Sequence, residues 1–77
     1  MVQAYILIQT DVGRARDVAT AIRELAGVAR VDAVTGPYDV MVLCEANDVD
    51  ELGRMIVSSV QAVPGITRTL TCSVVNL

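Results

Sequence analysis

The residues best suited to hold a ligand lie between two apolar runs, in the stretch V-T-G-P-Y-D-V at positions 34–40. Gly36 can adopt backbone angles that other residues rarely reach, and Pro37 presets one dihedral angle of a turn. Asp39 supplies a carboxylate that can accept hydrogen bonds from a cation or from backbone amides. The stretch therefore predicts a hairpin turn that carries a ligand clamp, although an ordinary turn without a ligand has the same composition.

Catalysis and metal binding have little support in the residue types. The chain has no His, and its two cysteines, Cys44 and Cys72, stand 28 positions apart without C-x-x-C spacing. We therefore expect no catalytic residue, no metal and no cofactor. Asp39 as a base and Tyr38 as an acid would define an alternative, a small dimeric enzyme, but no His, Phe or Trp accompanies them. Both cysteines are predicted to be small core residues in a reducing compartment.

Two similar halves must position the hairpin turn. Sliding the sequence on itself by 38 positions places Gly27 on Gly65 and Arg30 on Arg68, so each half reads as strand, helix, strand. The expected strands are 2–9, 28–35, 39–46 and 66–75, and the expected helices are about 13–26 and 49–63. Two such units in tandem predict a single domain, residues 1–77, with the α+β ferredoxin-like βαββαβ fold, in which both helices cover one face of a four-stranded antiparallel sheet of order 4-1-3-2.

Capping residues and apolar stripes support the two helices. Asp11 is placed to cap the first helix and Gly27 to end it, while Asp48 and Glu51 have capping-box spacing at the second. Apolar residues recur at helical spacing in both segments. The predicted stripes are Ala15, Val18, Ile22 and Leu25 on the first helix, and Val49, Leu52, Ile56, Val60 and Val63 on the second.

The sheet face without helices is predicted to be apolar and open. Ala4, Ile6 and Ile8 alternate with Tyr5 and Leu7, so the two sets point to opposite faces of the sheet. Met41 and Leu43 behave similarly on the third strand. An apolar sheet face needs a cover, and a second copy packed sheet to sheet is the simplest one. At 77 residues, of which 53% are hydrophobic, the chain has a marginal core of its own, which also favours a homodimer.

The last strand carries an alternating row of hydroxyl side chains. We expect Thr67, Thr69, Thr71 and Ser73 on one face of this strand, with Ile66, Leu70, Cys72 and Val74 on the other. Threonine favours strands in any case, so the row has a structural explanation in β-propensity. The functional alternative is that some of these hydroxyls line a ligand pocket or an assembly seam.

Charge and hydropathy exclude two classes of partner. The formal net charge is −3, and the six arginines are scattered along the chain, so direct nucleic-acid binding is not expected. The longest apolar runs have about five residues, far fewer than the roughly 20 that span a bilayer, and no secretory signal precedes them. We therefore expect a cytoplasmic protein that does not bind membranes.

The turn string V-T-G-x-Y-D and the later Pro64-Gly65-Ile66, leading into Thr69-x-Thr71 and Val74-Val75, resemble the effector-binding domain of the Lrp/AsnC family. These proteins are amino-acid-responsive transcriptional regulators of bacteria and archaea. The resemblance runs from about Val2 to Val75. Members normally carry a helix-turn-helix domain ahead of this module, whereas this chain begins at the first strand. The resemblance therefore implies a stand-alone ligand-binding and oligomerisation domain that lacks the helix-turn-helix domain.

The resemblance also implies where a ligand binds. Ligand sites in the family lie between dimers near the hairpin turn, which makes Gly36, Tyr38, Asp39, Thr71 and Ser73 the candidate ligand-binding residues. Asp39 would accept the α-ammonium group of a small amino acid, and backbone amides of the turn with nearby hydroxyls would bind its carboxylate. Dimers of the family associate into rings of about eight subunits, so a ligand between dimers would be linked to assembly.

Three alternatives accompany this interpretation. The chain could be a purely structural oligomerisation module without a ligand, or, with less support, the small enzyme described above. An ACT-like regulatory domain shares the βαββαβ order, but the Gly36-x-Tyr38-Asp39 turn argues against it. As a sensor, the protein would act through full-length Lrp/AsnC regulators or another partner, since it has no expected DNA-binding domain of its own.

Overall fold

A computed structural model describes all 77 residues of the chain. The strands are β1 (Val2–Thr10), β2 (Val28–Ala33), β3 (Val40–Ala46) and β4 (Ile66–Ser73), and the helices are α1 (Ala15–Arg23) and α2 (Val49–Met55), which continues into a π-helical turn at Ile56–Val60. The four strands form one antiparallel sheet of order β2-β3-β1-β4. This order confirms the ferredoxin-like α+β fold.

The core lies between the helices and one face of the sheet. Ala4, Ile6 and Ile8 of β1 are fully buried there, as the alternating pattern predicts, while Tyr5 on the same strand is 45% exposed. All of the buried residues are apolar, and no buried side-chain nitrogen or oxygen lacks a hydrogen bond. The other buried positions are Val18, Ala19, Ile22, Val31, Val40, Val42, Cys44, Ala46, Leu52, Ile56 and Val60.

The first helix starts later than expected, and Asp11 does not cap it. Arg14 holds the N-cap position without a side-chain cap bond. Asp11 instead forms a turn, because its carbonyl accepts from the Arg14 amide at 3.0 Å while its own amide donates to the Gly65 carbonyl at 2.8 Å. The helix ends at Arg23, ahead of Gly27. Gly27 has a φ of +86°, in the left-handed region that favours glycine, and lies just before β2.

The second helix begins with the expected cap and then widens. The Asp48 side chain accepts from the Glu51 amide at 2.7 Å, but the Glu51 carboxylate binds the Asn47 side chain instead of completing the capping box. The buried residues Leu52, Ile56 and Val60 are spaced by four, which drifts off one face of a helix with 3.6 residues per turn. The π-helical turn compensates for this drift and keeps the three residues on the core.

One residue of the apolar stripe predicted for α2 does not face the core. Val49 is the first helical residue and is 70% exposed. Val49 lies in the first turn of α2, one turn ahead of Leu52, the first buried residue of the helix. The remaining four residues of the stripe are buried or pack against the core.

A bulge in β4 changes which residues share a face. Gln9 pairs with Arg68 but Thr10 pairs with Ile66, which leaves Thr67 unpaired. Because of this extra residue, Ile66 packs against the core. The prediction that Ile66 shares a face of the strand with Leu70 is therefore wrong. Beyond the bulge, the predicted alternation is confirmed. Leu70 and Cys72 face outward opposite Leu7 and Tyr5, while Thr69, Thr71 and Ser73 lie opposite the buried Ile8, Ile6 and Ala4.

Candidate functional site

The hairpin turn between β2 and β3 is exposed at its tip and half-buried at its base. Gly36 has a φ of +140°. A Cβ atom at this position would meet no other atom, so the backbone angle and not crowding accounts for the glycine. Gly36 and Pro37 are exposed, whereas Tyr38 and Asp39 are half-buried. The structure therefore brings three of the five candidate residues, Gly36, Tyr38 and Asp39, into one turn.

Asp39 fastens this turn to the end of β1. Its amide donates to the Ile8 carbonyl at 2.8 Å, and its carbonyl accepts from the Val34 amide at 2.9 Å. Its carboxylate accepts from the Thr10 amide at 2.8 Å and from the Thr10 hydroxyl at 3.4 Å. Both of these side-chain bonds end on Oδ2, so Oδ1 is the oxygen left for an external cation. Asp39 thus positions the turn whether or not a ligand is bound.

Two further polar contacts extend this network from the turn to β4. The Gln9 side-chain amide donates to the Pro37 carbonyl at 2.9 Å. The Gln9 backbone carbonyl accepts from the Thr67 hydroxyl at 3.2 Å. The end of β1 therefore links the hairpin turn with the bulged start of β4. Gln9 and Thr10 are residues that sequence reasoning missed, and the signal that could have found them was a polar pair closing an otherwise apolar strand.

Thr71 and Ser73 lie elsewhere in the same subunit. They pair with Ile6 and Ala4 of β1, whereas Asp39 lies beside the pairing of Ile8 with Val40. β4 and β3 flank β1 on opposite sides, so they are separated by two strand spacings, about 10 Å. Within one subunit the structure does not bring these hydroxyls to Asp39. A site that uses both sets of residues must be completed by a second subunit.

The sheet face opposite the helices has an apolar centre. Leu7, Met41 and Leu43 are half-buried on this face, and Tyr5 and Leu70 are each 45% exposed. We call this surface the open face. An ion pair between Arg30 and Asp32, with Nε and Oδ2 2.8 Å apart, borders it on β2. The open face thus combines a central hydrophobic surface with a polar rim, the composition of many protein interfaces.

The cysteines lie on opposite faces of the sheet. Burial raises the pKa of the Cys44 thiol from 9.0 to about 11, because desolvation disfavours the thiolate. Cys44 is the core residue that the sequence predicts. For Cys72 that prediction is wrong, since this cysteine is exposed on the edge strand. Both thiols are free, and β1 separates their strands.

No group of three or more His, Cys, Asp or Glu side chains is arranged to hold a metal ion. Neither helix has the length and apolar character that crossing a membrane would require.

A sequence model described as the Lrp/AsnC ligand binding domain matches residues 3–76. The HTH-type transcriptional regulator PH1916 of Pyrococcus horikoshii is 31% identical over 71 residues, which are 88% of this chain and 47% of that protein. The chain thus spans about half the length of such curated relatives. A short similarity to homocitrate synthase of Sulfurisphaera tokodaii, 38% identity over 52 residues, covers only 11% of that enzyme.

Solved structures agree with the family model. TTHA0845 from Thermus thermophilus superposes with a TM-score of 0.93 at 35% identity, covering 100% of this chain and 96% of that one. The transcriptional regulator NMB0573 of Neisseria meningitidis, solved as a complex with L-Met, has the same fold, with a TM-score of 0.85 at 19% identity over 97% of this chain and 50% of that one. The family whose model matches is a regulatory ligand-binding module and not an enzyme. The chain belongs to the Lrp/AsnC ligand-binding domain family.

Proposed function

We propose that this protein binds a small amino acid beside the Gly36–Asp39 turn and that binding is coupled to assembly of its subunits. The observation that carries the proposal is the attachment of the turn to β1 by Asp39, whose carboxylate bonds to Thr10 through Oδ2 and leaves Oδ1 without a partner inside the subunit. A rigid polar anchor beside an interface-like surface is the arrangement that a ligand shared between subunits requires.

In this proposal Asp39 Oδ1 accepts the α-ammonium group while Oδ2 keeps its bonds to Thr10. The amides of Gly36 and Tyr38 are candidates to donate to the ligand carboxylate, and Pro37 has no amide hydrogen to contribute. Thr71 and Ser73 would enter the site from a neighbouring dimer. The L-Met complex of the relative NMB0573 supports an amino acid as the ligand class.

The open face is the proposed dimer interface. Its apolar centre, Tyr5, Leu7, Met41, Leu43 and Leu70, would be removed from water by a second copy packed sheet to sheet. Dimers would then associate into larger rings of about eight subunits, and a ligand that completes its site only between dimers would favour the larger assembly.

The output of the module would be a change in assembly state that regulates transcription indirectly. The superposition on TTHA0845, which covers 96% of that chain, supports a single domain over residues 1–77. Such a domain would act by co-assembling with full-length Lrp/AsnC regulators in the cytoplasm, where free thiols such as Cys44 and Cys72 stay reduced. A purely structural oligomerisation module is the second candidate, because the Asp39–Thr10 bonds would hold the turn in the same way without a ligand.

Thermal unfolding of the wild type and of Asp39→Asn against each of the twenty amino acids tests the proposal, at fixed protein concentration. An amide oxygen at position 39 can still accept from Thr10, but it carries no charge for an ammonium group. A ligand at about 100 times its Kd contributes roughly 2.7 kcal/mol per site, which raises the Tm of a domain of this size by about 11–22 °C. We expect this shift in the wild type and in the control Asp50→Asn, and its loss in Asp39→Asn. A protein that responds to none of the twenty is the structural module.

A further inference from the structure

The two edges of the sheet differ in how they are protected. The strand order β2-β3-β1-β4 leaves one side of β2 and one side of β4 without a neighbouring strand. A free edge presents unpaired backbone amides and carbonyls, so it pairs readily with another strand unless side chains block it. The outer sides of β2 and β4 are therefore the places where a further strand could join this sheet.

The edge of β2 is blocked by a cation from the first helix. The Val34 amide donates to the Asp39 carbonyl, which makes these two facing residues a hydrogen-bonded pair. Because such pairs alternate along antiparallel strands, the amide and carbonyl of Val31 point away from β3. The Val31 carbonyl accepts from the guanidinium of Arg23 on α1 at 3.4 Å. An arginine therefore occupies the position that an added strand would need.

The edge of β4 has no such protection. The Val74 amide donates to the Gln3 carbonyl at 2.9 Å, which makes this a hydrogen-bonded pair. By the same alternation, the amides and carbonyls of Thr69, Thr71 and Ser73 point away from β1. From Thr69 to the C-terminus the chain contains no charged side chain and no proline, the residues that commonly protect an edge. The outer side of β4 is therefore free to pair with another strand.

We propose that the β4 edge is an interface at which two copies of the chain pair their β4 strands antiparallel, with Thr71 of one copy opposite Thr71 of the other. Arginine blocks the β2 edge, so a second β4 is the sheet edge of this chain that remains available to β4. A two-fold axis through the Thr71 pair makes the contact self-complementary. In this register Thr69 of each copy lies opposite Ser73 of the other, and the facing pairs exchange about six backbone hydrogen bonds.

The side chains fit this register on both faces of the sheet. Thr and Ser hydroxyls meet on the helix side, where such pairs can hydrogen-bond across strands. On the opposite side Leu70 of each copy lies opposite Cys72 of the other, and Arg68 lies opposite Val74, so no like charges face each other. The contact is made by backbone groups, requires no ligand and leaves the open face uncovered. It therefore does not rest on the proposed function.

Amide hydrogen exchange without ligand tests the pairing residue by residue. The Leu70 and Cys72 amides bond to β1 within the subunit, whereas the Thr69 and Ser73 amides gain a partner only at the interface. Thr71→Lys places two like charges opposite each other. We expect the Thr69 and Ser73 amides to exchange at least about tenfold faster in this variant than in the wild type, while the Leu70 and Cys72 amides stay protected. Unprotected Thr69 and Ser73 amides in the wild type at high protein concentration would overturn the interface.

Opposite charges at position 71 test the two-fold register. Thr71→Lys and Thr71→Glu alone should each have at most about half the wild-type mass in light scattering, and an equimolar mixture should regain that mass, because lysine then lies opposite glutamate. The controls Thr20→Lys and Thr20→Glu, at an exposed position of α1, should keep the wild-type mass alone and mixed. Wild-type masses for both Thr71 variants, or a mixture that recovers nothing, would overturn the pairing. Asp39→Asn should leave the pairing intact, so its failure and a failure of ligand binding are distinct results.

Discussion

Removal of the Asp39 carboxylate should destabilise the protein even when no ligand is present. Asp39→Ala leaves the Thr10 amide without its 2.8 Å acceptor at a half-buried position. A hydrogen bond to a charged group contributes about 1.5–3 kcal/mol, so we expect a loss of about 2 kcal/mol. For a domain of this size, such a loss lowers the Tm by about 8–16 °C.

Asp39→Asn should lie between the wild type and Asp39→Ala. The asparagine oxygen can still accept from the Thr10 amide, but as a neutral acceptor, so the expected cost is about 1 kcal/mol or 4–8 °C. The assay is differential scanning calorimetry at one protein concentration, with urea unfolding to check the free energy. Asp50→Ala, an exposed carboxylate in the first turn of α2, is the control. If Asp39→Ala is no more destabilising than Asp50→Ala, the turn is not held by the Asp39–Thr10 bonds and Asp39 is not a preformed anchor.

Three further predictions concern the core, the open face and the buried thiol. Ile6→Ala should lower the free energy of unfolding, measured with urea, by about 2–5 kcal/mol, because it removes a fully buried side chain. The exposed Thr20→Ala should change this free energy little, and equal effects of the two variants would contradict the assignment of the core face. Leu70→Lys places a charge on the open face, so the mass measured by light scattering should shift toward that of the monomer. The control Thr20→Lys adds a charge on α1, and equal masses for the two variants would exclude the open face as the dimer interface. Burial raises the folded-state pKa of Cys44 from 9.0 to about 11, so the unfolded chain loses the thiol proton at a lower pH than the folded protein does. The contribution of the neutral thiol to folding stability is therefore complete below pH 9 and is lost as the pH rises from 9 to 11. The urea midpoint of the wild type should therefore fall more steeply over this pH range than that of Cys44→Ala. Parallel curves would show that the Cys44 thiol is not buried in the core.

At the hairpin site, residue types predict the turn but not the contacts that hold it. Gly36 and Asp39 indicate the turn in the sequence, because turn formation depends on residues that are adjacent in the chain. The partner of Asp39 cannot be found in the same way, since Thr10 is 29 residues earlier in the chain. A search for local patterns has no access to a contact between positions so far apart. The sequence therefore indicates a ligand clamp at Asp39, whereas its positioning role becomes visible only in the structure.

Local periodicities were enough to predict the fold, the element order and the two faces of β1, because strand alternation and helical spacing translate directly into side-chain orientation. Packing between the elements produces three features that no local pattern predicts: the bulge at Thr67, the π-helical turn at Ile56–Val60 and the contacts of Asp39. Each of these adjusts one element to its neighbours: the bulge turns Ile66 into the core, and the wider turn keeps Val60 there. Such adjustments arise from packing between distant segments, whose geometry exists only once the sheet and helices have come together.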